Sequence, residues 1–571
     1  MPVYNPTVHP HQWLPESLSL SSWSDIEPWY TKLLALPTAT SSELEQFLIA
    51  AGELGGVVGQ VGVKRHIAMT CQTDDPERKA AYLEFVREIE PRLKPIHEEI
   101  RARFLDSPAR GDLPRDRYFV FTRALENRRE LFREANIPRE TQLAEHEQRY
   151  QEILGAMTVP HRGKEQTLVE MTKVLEEVDR GERRQAWELV AQRRLADRET
   201  LDDLFDQMLE PRLAIAREAG FDSFVDYSFR NRERFDYGVA DALSFHEAVE
   251  RVVVPLARRI QKERKSALGY ESLRPWDLLV DPLLRAPLKP FEQVDQLAAG
   301  TEMIFDSVDP ELGAQFHYLL EAGLLDLANR KGKAPGGYQT TLEDDRLPFI
   351  FMNAVGLDSD LRTLLHEGGH AFHTLACRDE PLAAYRECPL EFCEVASMTM
   401  ELLGAKRLDP FYAQADADRS NRRLLEGIVL ALPWIATVDA FQHWIYNHPA
   451  HSRSERKQAW RALLERFGGD VDYTGCEEAR DHLWHRQLHI FLYPFYYIEY
   501  GIAQLGALEI WRRSLTDRAG AVAAYKRALA LGGSRPLPEL FAAAGDRFDL
   551  GEAKIAPLMA AIVRELEQMA P

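Results

Sequence analysis

Apolar residues recur at helical spacing through most of the chain, so helices are expected nearly throughout. From Ser41 to about Asp236 the pattern is mostly helical. The stretch PERKAAYLEFVREIEPRLKPIHEEIRARFL keeps that spacing, with Pro91 and Pro95 expected to kink or interrupt it. Residues 163–209 are charged and helix-favouring, and their charge runs predict solvated faces. Gly238 to about Leu268 reads as a further helical section with Pro255 inside it. Residues 1 to about 40, rich in Pro, Ser and Trp, predict an irregular lead-in. LRPWDLLVDPLLRAPLKP predicts a loop or crossover, and helix is expected again from about Tyr493.

One stretch breaks the pattern. Leu347 to Val355, LPFIFMNAV, is a short apolar run after the turn-like LEDDR. It predicts a strand, and Pro348 near its start suggests an edge position. Asp358, Ser359 and Asp360 then offer N-cap chemistry for a helix through LRTLLHEGGHAFHTLA. A second helix is expected from about Leu390 to Leu403. The fold class is mainly α with a little β.

Composition narrows the classes. Of 571 residues, 28% are charged and 45% hydrophobic, which is ordinary globular usage. Length allows about four domains or one large lobed helical body. The formal net charge of −20 repels phosphate backbones and anionic lipid, so neither nucleic acid nor a membrane surface is an expected partner. Five cysteines and no Cys-x-x-Cys argue against a disulfide framework and for a reducing cytoplasm. The N-terminus shows no basic start or apolar core of a secretory signal. The longest apolar stretch, Gly427 to Val438, looks too short for a membrane span and contains Pro433.

The helix after the strand contains His366-Glu367-Gly368-Gly369-His370, a match to H-E-x-x-H. Imidazoles at i and i+4 share one helical face and can reach one metal ion. Glu367 sits beside the first of them, where it can take a proton from water. His485 and His489 are also four apart, but no Glu follows the first. Two glycines in mid-helix cost about 1 kcal/mol each against Ala, so close approach of another element is expected there. Catalytic zinc needs a third protein ligand. Glu387, Glu391, Glu394 and Glu401 are the candidates; Glu387 precedes Pro389 and falls outside the helix, and spacing does not choose between Glu391 and Glu394.

HEGGHAFH followed by EFCEVAS resembles the thimet oligopeptidase and oligoendopeptidase F family of zinc metallopeptidases. Phe392-Cys393-Glu394-Val395-Ala396-Ser397 is similar to that family's Phe-x-Glu-x-x-Ser, which implies Glu394 as third ligand. REAGFDSFVDY from Arg217 and LGYESLRPWD, ending at Asp277, also resemble family segments, so the likeness covers about residues 200 to 550. Gly368 is a departure, since many relatives carry a bulky residue there. The resemblance implies one zinc per chain on His366, His370 and Glu394, and Glu367 as general base. It implies an N-terminal helical lobe over 1–200, a catalytic region over 201–571, and two lobes around a deep channel with a small sheet beside the zinc helix. Short peptides cut internally are the implied substrates.

A last constellation is HIFLYPFYYIEYGIAQLGALEIW. His489, Tyr493, Tyr497 and Tyr500 follow at +4, +4 and +3, and with Pro494 opening a helix the tyrosines would share one face. The resemblance assigns oxyanion and substrate contacts to His489, Tyr493 and Tyr500, with a His-to-Tyr spacing one residue shorter than in the family. Two other classes stand beside a peptidase: a non-catalytic helical peptide-binding protein and a di-iron carboxylate oxidase. The oxidase needs two Glu-x-x-His sequences, and only Glu367-x-x-His370 occurs.

Overall fold

The structure, a computed structural model, describes residues 3–16, 18 and 20–569. Helices dominate it, and the described strands form one small hairpin and one three-stranded sheet. The chain forms two compact units. One is built from the chain up to Glu126 with Lys289–Asp418 and Gly506–Phe548; the other from Asn127–Leu288, Arg419–Leu505 and the chain from Asp549 onward. Residue 200 falls inside the second unit, within the helix Arg198–Glu218.

Several local expectations need correction. The lead-in is not wholly irregular, since Trp23–Leu34 is helical. Its start is held by the Asp25 carboxylate, which accepts from the Ser22 N–H and Oγ at 2.9 Å each. In the second unit, Thr158–His161 pairs antiparallel with Lys164–Thr167 inside a charged stretch expected to be helical. Its two-residue turn puts Arg162 at φ 50° and Gly163 at φ 75°, as a type I′ hairpin requires. The expected interruption near Pro91 takes the form of a π-turn, and the helix continues past it. A π-turn at Phe85–Ile89 precedes Pro91, and another at Val249–Val253 precedes Pro255. The i→i+5 bonds shift the ladder, so the carbonyl that would meet each ring is displaced. Nor are the charge runs all solvated. Arg183 is fully buried and bonds the equally buried Asp277 carboxylate at 3.0 Å, with Arg180 on its other oxygen at 2.7 Å.

The apolar stretch 427–438 lies within the helix Gln414–Asn447, which is long and apolar enough to cross a membrane. Shortness therefore does not exclude a span; the most apolar window of this helix is 67% buried inside the protein, as in a core helix.

The remaining elements of interest belong to the first unit. Strands β1 (Leu325–Ala328), β2 (Tyr338–Leu342) and β3 (Leu347–Ala354) form a sheet in the order β1-β3-β2. The apolar run is thus the central strand and not the edge. It is parallel to β1 and antiparallel to β2. Pro348 is tolerated because β1 first pairs at Ile350, whose N–H donates to the Leu324 carbonyl at 3.0 Å. Pro348 points the same way two residues earlier, where β1 has no carbonyl waiting.

Helix α1 (Asp358–Cys377) follows directly. Its N-cap is Leu357, and the capping work falls to Asp360, whose carboxylate accepts from the Leu357 N–H at 2.9 Å and the Val355 N–H at 2.7 Å. Helix α2 (Leu390–Gly404) packs against it. At the crossing, a Cβ on Gly369 would lie 2.5 Å from the Ser397 Cα and 2.6 Å from the Ala396 carbonyl oxygen. The expected close approach is therefore backbone to backbone. At Gly368 the tip of the Phe305 ring takes the space that a side chain would fill, 2.5 Å from a notional Cβ.

The two kinds of helical glycine give opposite expectations. Gly369→Ala should lose about 1–3 kcal/mol of stability by overpacking. Gly427→Ala, exposed and with nothing within 4 Å of the new methyl, should gain up to about 1 kcal/mol. Chemical denaturation of both variants checks the pair, and equal effects would show that the α1–α2 contact is loose.

Candidate active site

Consecutive turns of α1 place His366 and His370 on one face, and their ring centroids are 5.0 Å apart. Helix α2 brings Glu394 to them. Its Oε2 lies 3.4 Å from His366 Nε2 and 3.8 Å from His370 Nε2. The three donor atoms lie within 4.8 Å of one another. Ser397, one turn on and buried, donates its hydroxyl to the same Glu394 oxygen at 3.1 Å. Glu387 sits before the α2 N-cap, Pro389, and Glu391 takes no part in the donor cluster.

Glu401 was only a candidate ligand by sequence, but the structure gives it another place. Its Oε1 is 2.7 Å from His366 Nδ1, so it accepts from that nitrogen and turns Nε2 toward Glu394. Two turns of α2 separate the two carboxylates, and each meets a different face of one imidazole.

The electrostatics show what the cluster lacks. Burial works against charging His366, yet hydrogen bonds and charge from Glu394 and Glu401 outweigh it and raise its pKa to about 10. Burial, then the His366 charge, lowers His370 to about 4. Glu394 is held below the usual carboxylate range against its burial, chiefly by His366 and then by His370. Burial lifts Glu367 to about 7, although the His366 charge pulls it back and the backbone N–H of Gln339 on β2 bonds its carboxylate. Two carboxylates thus hold a cation, here a proton, between them. Two imidazoles and a carboxylate around a demand for positive charge fit a catalytic zinc ion.

The second group of sequence candidates lies in the second unit. The helix expected from about Tyr493 begins only at Ile498, after a short helix at Leu488–Leu492. Tyr493 and Tyr497 lie in the turn between them, so they do not share a helical face with Tyr500. The reason is that other groups claim the segment's backbone. Arg212, 2% exposed, donates to the Ile490 carbonyl at 3.3 Å, to the Phe491 carbonyl, and to the Tyr446 hydroxyl at 2.9 Å. Arg232 donates to the Pro494 carbonyl at 2.7 Å, and Arg234 to the Phe495 carbonyl. Phe495 adopts φ 63° with its ring fully buried, and its N–H donates to Gln442 Oε1 at 2.8 Å.

The turn nevertheless gathers the aromatic residues around His489. Ring centroids of Tyr497, Tyr496, Tyr500 and Tyr493 lie 4.8, 5.3, 5.7 and 6.2 Å from the imidazole. Tyr493 is 50% exposed. Burial, helped by Arg232, lowers the His489 pKa to about 4, so the ring is neutral. Gln487 lies 2.8 Å from His489 Nδ1 and accepts from Trp434 Nε1 at 3.1 Å, which orients the imidazole. Gln487 and the three arginines carry no sequence signal, because each acts on backbone or side chains far along the chain.

Among the described residues, the other cluster able to hold a metal is His373, Cys388 and Cys393, which contains no carboxylate. A carboxylate-bridged di-iron centre therefore finds no support.

Residues 174–558 match the sequence profile of peptidase family M3. Oligopeptidase PepF of Bacillus subtilis (strain 168) is 25% identical over 292 residues, which cover 49% of this chain and 42% of that protein. Group B oligopeptidase PepB of Streptococcus agalactiae is 29% identical over 150 residues, 26% of this chain and 24% of that one. The chain thus spans a quarter to under half the length of these curated relatives. Over nearly its whole length it superposes on the structure of PZ peptidase A with an inhibitor: TM-score 0.86, 28% identity, 96% of this chain and 97% of the other covered.

The arginine bracket is directly testable. Arg212→Met keeps the aliphatic stem but removes charged donors worth about 1.5–3 kcal/mol each. Amide hydrogen exchange should quicken across residues 488–497 and stay unchanged in the helix Ser41–Cys71 of the other unit. Unaltered exchange in 488–497 would mean that the segment is fixed by other contacts.

Proposed function

We propose that this chain, which belongs to peptidase family M3, is a zinc-dependent oligoendopeptidase that cleaves internal bonds of short peptides. The observation that carries the reading is the convergence of His366, His370 and Glu394 donor atoms within 4.8 Å, with Glu367 on the intervening turn. These three residues would hold one zinc ion. Bound there, zinc would supply a Lewis acid that acidifies water and polarises the scissile carbonyl.

The rest of the chemistry belongs to the chain. Glu367 accepts a proton from the attacking water and returns it to the leaving amine nitrogen. Burial suits it to both steps, because an acid near pH 7 exchanges protons readily in either direction. The Gln339 N–H holds its carboxylate in place. Glu401 keeps the His366 ring turned so that Nε2 meets Glu394. His489, Tyr493 and Tyr500 are assigned to the substrate carbonyl and its developing negative charge, as an imidazole and two hydroxyls suited to that task. Support for this assignment is their chemistry and their clustering about His489. The catalytic region is assigned to residues 201–571, and the helical residues 1–200 are divided between the two compact units at Glu126. The substrates follow from the family, and a cytoplasmic location from the five free cysteines.

Metal analysis with peptide turnover tests the reading. Glu394→Ala should lose zinc, and Glu391→Ala should keep it. Glu367→Gln should keep zinc and lose at least about 10²-fold in kcat. Zinc lost from Glu391→Ala alone would move the ligand one turn back, and turnover by a zinc-bearing Glu367→Gln protein would remove the base.

The tyrosines have their own test. Tyr500→Phe and Tyr493→Phe should each lower kcat by about 10²-fold to 10³-fold with little change in KM, and zinc content should not move. Near-normal kcat in both would make the group ordinary packing.

A further inference from the structure

We propose that His373, Cys388 and Cys393 form a second, soft-metal site, separate from the catalytic one and suited to Cu(I).

His373 lies one turn beyond His370 on α1 and is 6% exposed. Cys388 precedes Pro389, the N-cap of α2, and Cys393 lies in the first turns of that helix. Both are free thiols, partly buried. Cys388 Sγ is 3.6 Å from His373 Nδ1 and 2.8 Å from Cys393 Sγ, and the three donor atoms fall within 4.8 Å of one another. Among the described residues, no hydrogen bond occupies His373 Nε2, so nothing on that side commits the ring's tautomer, and Nδ1 can present its lone pair.

Metal–sulfur bonds of about 2.3 Å and a metal–nitrogen bond of about 2.0 Å, set at trigonal angles, place N and S about 3.7 Å apart and the two sulfurs about 4.0 Å apart. The His373–Cys388 separation of 3.6 Å already meets the first value. The second requires the sulfurs to open by about 1 Å, within reach of a side-chain rotation at Cys393. Apart from each other and His373, the thiols bond the Pro389 carbonyl at 3.4 Å and the Cys388 carbonyl at 3.5 Å, weak sulfur bonds that cost little to turn away from.

Donor type selects the ion. Two thiolates and an imidazole are soft ligands, unlike the carboxylate-bearing set beside them. Structural zinc sites take four protein ligands, and the cluster offers three. Cu(I), a d¹⁰ ion content with three soft donors, matches the set. Binding is a ligand exchange without redox change: one Cu(I) enters, two thiol protons leave to solvent, and two copper–sulfur bonds and one copper–nitrogen bond form. The site stands apart from any peptidase activity of the chain.

The test uses the full-length chain, metal-free, reduced and anaerobic, titrated with Cu(I) against a competing Cu(I) chelator. About one Cu(I) per chain should be retained, and Cys388 and Cys393 should become protected from alkylation while Cys71 and Cys476 stay reactive. Cys388→Ser and Cys393→Ser should each weaken retention by at least about tenfold. Glu394→Ala should retain copper fully, which separates this site from the catalytic one. The proposal is overturned if the reduced wild-type chain retains no copper or if Cys388→Ser retains it equally well.

Discussion

The backbone contact between α1 and α2 at Gly369 is the constraint on which the candidate site depends. With any side chain at 369, the Ser397 backbone would have to retreat, and Glu394, one turn earlier on the same helix, would move with it. That shift would carry along the oxygen now 3.4 and 3.8 Å from the two imidazoles. Two adjacent mid-helix glycines cost about 2 kcal/mol in helix propensity. That cost is accepted where a carboxylate on one helix must meet imidazoles on another, and Phe305 recovers packing at the neighbouring Gly368. The Tyr525 hydroxyl, bonded to the Ala396 carbonyl at 2.8 Å, closes the same crossing from the far side.

From that contact the charge pattern follows. Helix α2 carries Glu394 and Glu401 to opposite faces of His366, so one imidazole answers to two carboxylates. Burial alone would neutralise the ring; the paired acids raise it to about 10. The neighbouring His370, with a lowered pKa, stands ready as a neutral donor. Glu367 lies on the next residue to a ring held positive, yet burial still dominates and keeps its acidity near neutral. One helix crossing thus sets two imidazoles, a charged carboxylate and a carboxyl near neutrality side by side.

Much of this was legible in the chain. The H-E-x-x-H pentapeptide, the two glycines and the strand leading into the helix all announced the first half of the site. Glu394 needed a family resemblance, because Glu391 shares its helical face and spacing is blind between them. The edge strand was misplaced, since Pro348 signals a missing donor but not which neighbour is missing. The helix expected from about Tyr493 starts late, at Ile498, for a longer-range reason. Pro494 and the tyrosine spacing favour helix locally, but Arg212, Arg232 and Arg234 bond the carbonyls from Ile490 to Phe495 from distant parts of the sequence. Arg183 was hidden in the same way: in a run of charges it looks solvated, and only its partner Asp277 shows why it is buried. Local pattern finds elements and motifs; it does not find the charged side chains that tertiary structure spends on backbone.

The most direct measurement of the central claim is zinc-edge anomalous diffraction from crystals of the zinc-loaded protein. A single strong peak is expected, bonded to His366 Nε2, His370 Nε2 and a Glu394 oxygen, with Glu401 on Nδ1 of His366 and Glu367 near but not bonded. A peak on another set of residues, or none in protein that still cleaves peptides, would contradict it.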